Sequence, residues 1–140
     1  MAIDAGLSHV FFSEEGLDDA LKMAGLENLA HKLGNHRRAK EIRSALKSFS
    51  ETLREVNEIV ASGRLDSVLG YPERGGLYLH QLRSRMGTSL LSCAFEHKGE
   101  RGVHSSARVV FERHPDHVVV ISVSLEHDDA YQAANLRVVA

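Results

Sequence analysis

Residues 106–131 read SARVVFERHPDHVVVISVSLEHDDAY, and this stretch determines the expected fold of the last third of the chain. Arg108 opens an apolar run that extends to the turn sequence HPD at 114–116. A second, strongly apolar run follows and closes on EHDDAY at 126–131. Two apolar runs joined by a proline-containing turn predict consecutive antiparallel strands. We therefore expect a sheet whose rim carries His, Asp and Tyr side chains, where polar groups can act without disturbing a core.

Upstream, residues 36–61 predict one long amphipathic helix. Apolar side chains recur at spacings of three and four: Ala39, Ile42, Leu46, Phe49, Leu53, Val56 and Val60. This period is typical of a helix that packs on another helix or on a sheet. Heptads this regular can also pair two copies of a chain, so a homodimer through the 36–61 helix is an alternative.

The order of the predicted elements indicates the fold class. An earlier helix begins after Ser13, a candidate N-cap that is followed by two glutamates. Strands are expected at 77–82, 89–97, 107–113 and 117–126, with a short last helix at 128–136. The prediction is an α+β domain spanning residues 1–140, with a helical part at 1–62 and a sheet part at 77–131. Two N-terminal helices pack on an antiparallel sheet of about four strands.

Composition limits the class of protein. The chain has 140 residues, a net charge of −2 and 43% hydrophobic residues, which is ordinary for one soluble globular domain. Cys93 is the single cysteine, so an internal disulfide is excluded; it suits a reducing compartment and is expected in the core. No apolar run approaches the roughly 18 residues of a membrane span, and the N-terminus lacks a secretory pattern. We expect a cytoplasmic protein with no membrane partner.

The chain carries a basic region and many histidines. Between residues 83 and 113 there are six Lys and Arg residues against three Glu, and the whole chain has nine histidines. Such a region can contact phosphates locally although the whole chain is slightly acidic.

The ordered motif resembles the C-terminal half of the RelE/ParE toxin superfamily. The features are an arginine that opens a strand, a turn, an apolar strand and a closing His-Asp-Asp-Ala-Tyr. The 90–98 strand precedes this arginine as in those toxins, and two N-terminal helices over the sheet agree in architecture. The resemblance covers residues 77–131 and implies a RelE-like fold.

That resemblance implies a small, metal-independent endoribonuclease that cleaves messenger RNA, usually in the ribosome, and that an antitoxin neutralises. The implied catalytic residues are His97, Arg108, His127 and Tyr131. The implied RNA- or phosphate-binding residues are Arg83, Arg85, Lys98, Arg101 and His104. Arginine supplies a permanently charged fork for phosphate, and histidine can accept or donate a proton near neutral pH.

Other functions remain open at this point. Gyrase-directed members of the superfamily keep the fold without the nuclease residues, so a non-enzymatic inhibitor of DNA gyrase is one alternative. A non-catalytic binding or dimerisation module is another. His97 can instead be a histidine at the edge of the core, because strand alternation puts it on the face of Cys93. Zinc held by His114 and His117 with His104 or His127 is a weaker alternative, since their spacing matches no standard zinc motif.

Overall fold

In the computed structural model, residues 6–82 and 89–138 are described, and within them the chain forms four α-helices and a five-stranded sheet. The helices are α1 (Glu14–Lys32), α2 (His36–Ala61), α3 (Leu65–Val68) and α4 (His127–Arg137). The strands are β1 (Val10–Phe12), β2 (His80–Leu82), β3 (Leu90–Ala94), β4 (Arg108–Arg113) and β5 (Val118–Ser124). None of these helices is long and apolar enough to cross a bilayer.

The sheet confirms the α+β class but differs from the expected antiparallel arrangement of about four strands. Its order is β1-β5-β4-β3-β2, and β1 runs parallel to β5, with Val10 opposite Val118. The other three pairs are antiparallel. The sheet is therefore five-stranded and mixed, because the short 10–12 segment adds itself to the edge of β5. The strand expected at 77–82 begins only at His80.

Side-chain caps determine where α1 and α2 begin. The Ser13 hydroxyl accepts a hydrogen bond from Gly16 N at 3.0 Å, which satisfies one free amide of the first turn of α1. Asn35 does the same for α2, because its Oδ1 accepts from Arg38 N at 3.1 Å. The Ser13 backbone N–H also donates to the Val120 carbonyl at 3.0 Å, which joins the start of α1 to β5.

The predicted long helix is observed as α2, and its apolar side faces its own chain. The expected apolar positions Ala39, Ile42, Leu46, Phe49, Leu53 and Val56 are all buried. All of them except Ala39 form one core with α1 and with the Leu91, Cys93 and Phe111 face of the sheet. A homodimer through this apolar side would have to open that core, so these side chains serve the fold of the single chain.

The opposite face of the sheet is covered by α4. Ala130 and Ala134 of this helix pack on Leu90, Val110 and Ile121. Tyr131 lies beside this second cluster. The sheet therefore has helices on both faces. The face on which α4 packs is only partly covered, and a cleft remains open there.

A β-bulge in β5 changes which side chains face α4. Val110 pairs with Ser122 whereas Phe111 pairs with Val120, so Ile121 is the extra residue. Val118 and Val120 point to the α1–α2 core before the bulge, and Val123 points there after it. The bulge thereby turns Ser122 toward α4, where its hydroxyl donates to the Ala130 carbonyl at 2.7 Å.

Candidate functional site

A cleft of about 540 Å³ opens on the α4 side of the sheet, where β2 and β4 begin and β3 ends. Its lining combines residues of β2, β3 and β4, one residue just before β2, the first residue of a short 3₁₀ helix and the start of α4: Tyr78, His80, Gln81, Ala94, Gly102, Arg108, His127 and Tyr131. Of the seven predicted site residues that the structure describes, three line this cleft: Arg108, His127 and Tyr131.

Arg108 forms the floor of the cleft. It is only 8% exposed, and it pairs across the sheet with Ala94 and Ser124. Its Nη1 donates to the carbonyl oxygens of Ser105 and, at 2.9 Å, of Ala107. Ala94, its neighbour on β3, also lines the cleft. The result is a permanent positive charge held in one orientation at the base of a cavity.

His80, Tyr131 and Ser92 form a hydrogen-bonded group beside Arg108. Strand pairing places His80 opposite Ser92. The Ser92 hydroxyl donates to Tyr131 Oη at 3.1 Å, and that oxygen lies 3.4 Å from Nε2 of His80. Because Ser92 supplies the donor to Tyr131, the phenolic proton is available for the imidazole or for a bound ligand.

The environment keeps His80 uncharged at neutral pH. Burial lowers the pKa of His80 from its ordinary value of 6.5, because the charged imidazolium is poorly solvated there. The positive charge of Arg108 lowers this pKa further. A neutral imidazole beside a fixed cation can accept a proton, which is the requirement for a general base.

His127 lies at the entrance to the cleft. It is the first residue of α4 and is exposed. Its ring centroid lies 4.2 Å from that of Tyr131, and its Nδ1 lies 2.9 Å from Oδ1 of Asp128. Asp128 therefore orients the imidazole through Nδ1. This contact does not involve Nε2, which lies on the other side of the ring.

His97 lies outside the cleft, contrary to its expected grouping with Arg108. It is 2% exposed, and its Nε2 lies 3.4 Å from Nη1 of Arg38 on α2. Burial lowers the pKa of His97, and the charges of Arg38 and Lys98 lower it further. This position matches the alternative from strand alternation, a histidine at the edge of the α1–α2 core.

The predicted RNA-binding residues are dispersed. Lys98 is exposed in a turn with a backbone φ of 56°, and His104 is exposed in the short 3₁₀ helix Gly102–His104. Arg101 donates to Glu55 on α2 at 3.2 Å. Arg83 and Arg85 lie outside the described residues.

Sequence reasoning missed His80, Tyr78, Gln81 and Ser92. Alternation within the 77–82 segment places His80 and Leu82 on one face. This alternation carries no information about which strand lies next to the segment. His80 reaches the cleft only because β2 pairs with β3, which is itself the neighbour of β4.

Two further sequence expectations concern metal and cysteine. Across residues 6–82 and 89–138, no three His, Cys, Asp or Glu side chains gather in a way that could hold a metal ion, so the suggested zinc group around His114 and His117 does not assemble there. Cys93 is buried in the core as predicted, and burial raises its pKa to about 12. Its thiol is therefore protonated and unsuited to act as a nucleophile.

Comparisons with family models, with curated proteins and with solved structures found no match.

Proposed function

We propose that the cleft is the active site of a RelE-like, metal-independent endoribonuclease. The observation that supports this most directly is the convergence of His80, Arg108 and Tyr131 in one accessible cavity. When the 2′-hydroxyl of the RNA is the nucleophile, a neutral imidazole can serve as the base, a fixed guanidinium can bind the phosphate and a phenol can relay a proton.

Arg108 would bind the scissile phosphate. Its guanidinium is already oriented by the Ser105 and Ala107 carbonyls, so little conformational entropy is lost when a phosphate binds. The same charge would stabilise the additional negative charge of the pentacoordinate phosphorane, in which five oxygens surround phosphorus.

His80 replaces His97 as the proposed general base. Nε2 of His80 would accept the proton of the 2′-hydroxyl, directly or through Tyr131 Oη, while the resulting alkoxide attacks phosphorus. The P–O5′ bond breaks, and His127 at the cleft entrance would donate a proton to the leaving 5′-oxygen. The products are a 2′,3′-cyclic phosphate and a 5′-hydroxyl.

Lys98 and His104 are the proposed contacts for the flanking RNA backbone, because both are exposed. Arg101 contributes less in this proposal, since Glu55 already binds it. Arg83 and Arg85 are retained from the family resemblance alone. The proposed partners are RNA, the ribosome and an antitoxin that covers the cleft in the cytoplasm.

The direct test incubates the purified chain with single-stranded RNA in the presence of a chelator and maps the new 5′ ends. Arg108→Ala, His80→Gln and Tyr131→Phe should each strongly lower the cleavage rate. Three variants of the same residue types at other sites serve as matched controls and should cleave normally: Arg113→Ala, His114→Gln and Tyr71→Phe. Folding of every variant is checked by thermal unfolding.

Inducible expression in a bacterium separates this proposal from its alternatives. Growth arrest with new RNA ends, absent in Arg108→Ala, supports the nuclease. Arrest with intact RNA and a DNA-damage response points instead to a gyrase inhibitor. No arrest and no cleavage in vitro would leave a binding module as the better description.

A further inference from the structure

The solvent side of α1 carries an apolar ridge that the fold of the chain does not use. Leu17, Leu21 and Leu29 are 38%, 50% and 50% exposed, and Leu33 at the C-cap is 75% exposed. They follow a spacing of four residues with one gap, so they lie on a single i, i+4 row of the helix surface. An exposed apolar row of this kind is typical of a surface that contacts another protein.

Gly25 occupies the gap in this ridge. A glycine inside a helix lowers helix stability relative to alanine, so an isolated one usually has a packing reason. Beyond the neighbouring backbone of α1 itself, no atom of the described chain lies within 4 Å of the position where a Cβ would stand on Gly25. The fold of the chain therefore does not require a glycine here, whereas a second helix crossing at this point would gain from the missing side chain.

The four leucines of the ridge are symmetric about Gly25, whereas Leu26, which is 44% exposed, lies beside them without a symmetric counterpart. Leu21 and Leu29 lie four residues before and after it, and Leu17 and Leu33 lie eight residues before and after it. A two-fold axis through Gly25 and perpendicular to the helix brings such equidistant positions of two antiparallel copies to the same level. Leu21 of each copy then lies level with Leu29 of the other, so the central part of the ridge meets itself at the crossing point.

One pair of charged residues on the same side, Asp18 and Lys32, is opposite in sign about Gly25. Asp18 lies seven residues before it and Lys32 seven residues after it, and both side chains are exposed. An antiparallel pair brings Asp18 of each copy level with Lys32 of the other, where the lysine side chain is long enough to bridge the helices. A parallel pair would instead bring Asp18 level with Asp18 and Lys32 level with Lys32, which is unfavourable because like charges repel. The Asp18–Lys32 pair thus favours a second α1 in the antiparallel orientation.

We infer that α1 is the interface of a symmetric, antiparallel homodimer, in which two copies cross at Gly25 with their leucine ridges in contact. The apolar side of α2 is buried in the core. We therefore assign the dimer interface to α1, whereas the sequence suggested α2. The cleft lies on the α4 side of the sheet, opposite α1 and α2, so this dimer leaves it open. The inference does not depend on the proposed nuclease activity.

Sedimentation equilibrium of the full chain, from low micromolar to near-millimolar concentration, tests the dimer. Wild type should associate to a dimer, and Leu21→Glu with Leu29→Glu should remain monomeric. Leu136→Glu, on α4 and 78% exposed, is the matched control and should dimerise normally. A wild-type chain that stays monomeric throughout would overturn the inference.

Charge reversal at low ionic strength tests the pairing across the interface. Asp18→Lys should weaken the dimer by about tenfold, because it sets a like charge beside Lys32 in two symmetric places. Adding Lys32→Asp to the same chain should restore the affinity. Glu51→Lys on the exposed side of α2 is the control for net charge and should leave association unchanged. An Asp18→Lys variant that dimerises like wild type would contradict the pairing.

Crosslinking tests the orientation. Leu21→Cys and Leu29→Cys should form a disulfide with each other when the two variants are mixed and oxidised, because these positions lie level in the antiparallel pair. Either variant oxidised alone should remain uncrosslinked. A disulfide between two copies of Leu21→Cys would show that the helices run parallel and would overturn the proposed orientation.

Discussion

At the scale of the residue, Arg108 is the side chain on which the proposed chemistry most depends. It combines a fixed charge with a nearly buried position and two carbonyl acceptors of its own. Arg108→Ala should lower the cleavage rate by about 10²–10³-fold, the usual effect of removing one donor to a developing oxyanion. Arg108→Lys should recover only part of this loss, because lysine keeps the charge but lacks the planar fork. Single-turnover rates measure both effects, and a fully active Arg108→Lys would show that orientation is unimportant.

His80 leads to a prediction about the pH dependence of cleavage. Only its neutral form can accept the 2′-hydroxyl proton, and its pKa in the folded protein is lowered below 6.5. The acid limb of kcat/KM should therefore fall below pH 6.5, with high activity persisting at pH 6.5 itself. His127→Gln should leave this limb in place, whereas a limb that moves with His127 would transfer the base role to that residue.

At the scale of the element, two glycines of α1 make a matched pair. A Cβ on Gly16 would overlap the carbonyl oxygen of Val120, because the first turn of α1 packs directly on β5. Gly16→Ala should cost about 3 kcal/mol in the free energy of unfolding, as expected for a forced backbone shift. Gly25→Ala, with open space around it, should add about 0.5–1 kcal/mol of helix stability. Denaturant unfolding at a dilution that keeps the chain monomeric compares the two variants.

An ion pair joins α1, β5 and α4 where β1 no longer covers the edge of β5. Asp19 accepts a hydrogen bond from Val123 N at 3.0 Å and binds Arg137, with Nη2 and Oδ1 3.1 Å apart. Arg137 Nη1 donates to the Ile121 carbonyl at 2.8 Å. Two backbone groups of the open strand edge are thereby satisfied by side chains, which also hold α4 on the sheet.

Asp19→Ala should lower the free energy of unfolding by about 2 kcal/mol, because it leaves the Val123 amide and a largely buried guanidinium without their acceptor. It should also reduce cleavage more than binding of RNA, since α4 carries Tyr131 and His127. The control is Asp66→Ala, which removes the partner of Arg113 from an exposed position and should change stability little. Equal effects from the two variants would exclude a special role for the Asp19–Arg137 pair.

At the scale of the whole molecule, His80 and His97 lie on opposite faces of the sheet, and both should make the protein less stable as the pH falls. The pKa values of His80 and His97 are lowered in the folded state from an ordinary value of 6.5, so the unfolded chain binds more protons below that pH. Their effect on stability is therefore absent above pH 6.5 and unfavourable as the pH falls toward their folded pKa values. The free energy of unfolding should therefore decrease as the pH falls from 6.5 toward these folded pKa values.

The variant with both His80→Gln and His97→Gln should show a shallower loss of unfolding free energy between pH 6.5 and the folded pKa values. The exposed His36→Gln is the control for the loss of a histidine as such. Denaturant titrations at several pH values give the slopes, and identical slopes for wild type and the double variant would contradict the prediction.

The sequence by itself determined the local elements and much of their burial. The apolar period of α2 predicted residues 36–61, which are the observed bounds of the helix. Apolar side chains spaced three and four residues apart share one face only when the chain is helical. The apolar runs around 114–116 likewise predicted β4 and β5, and the motif that they form includes three residues of the cleft: Arg108, His127 and Tyr131. These signals are local, since residues a few positions apart decide them.

Only the tertiary structure decided the contacts between distant segments. It paired β1 parallel with β5 and brought His80 beside Tyr131, 51 residues away. It also introduced the bulge at Ile121, which the continuous apolar run of β5 does not reveal. Each of these outcomes depends on strand order and register. The residues of one strand do not determine which other strand will pair with it.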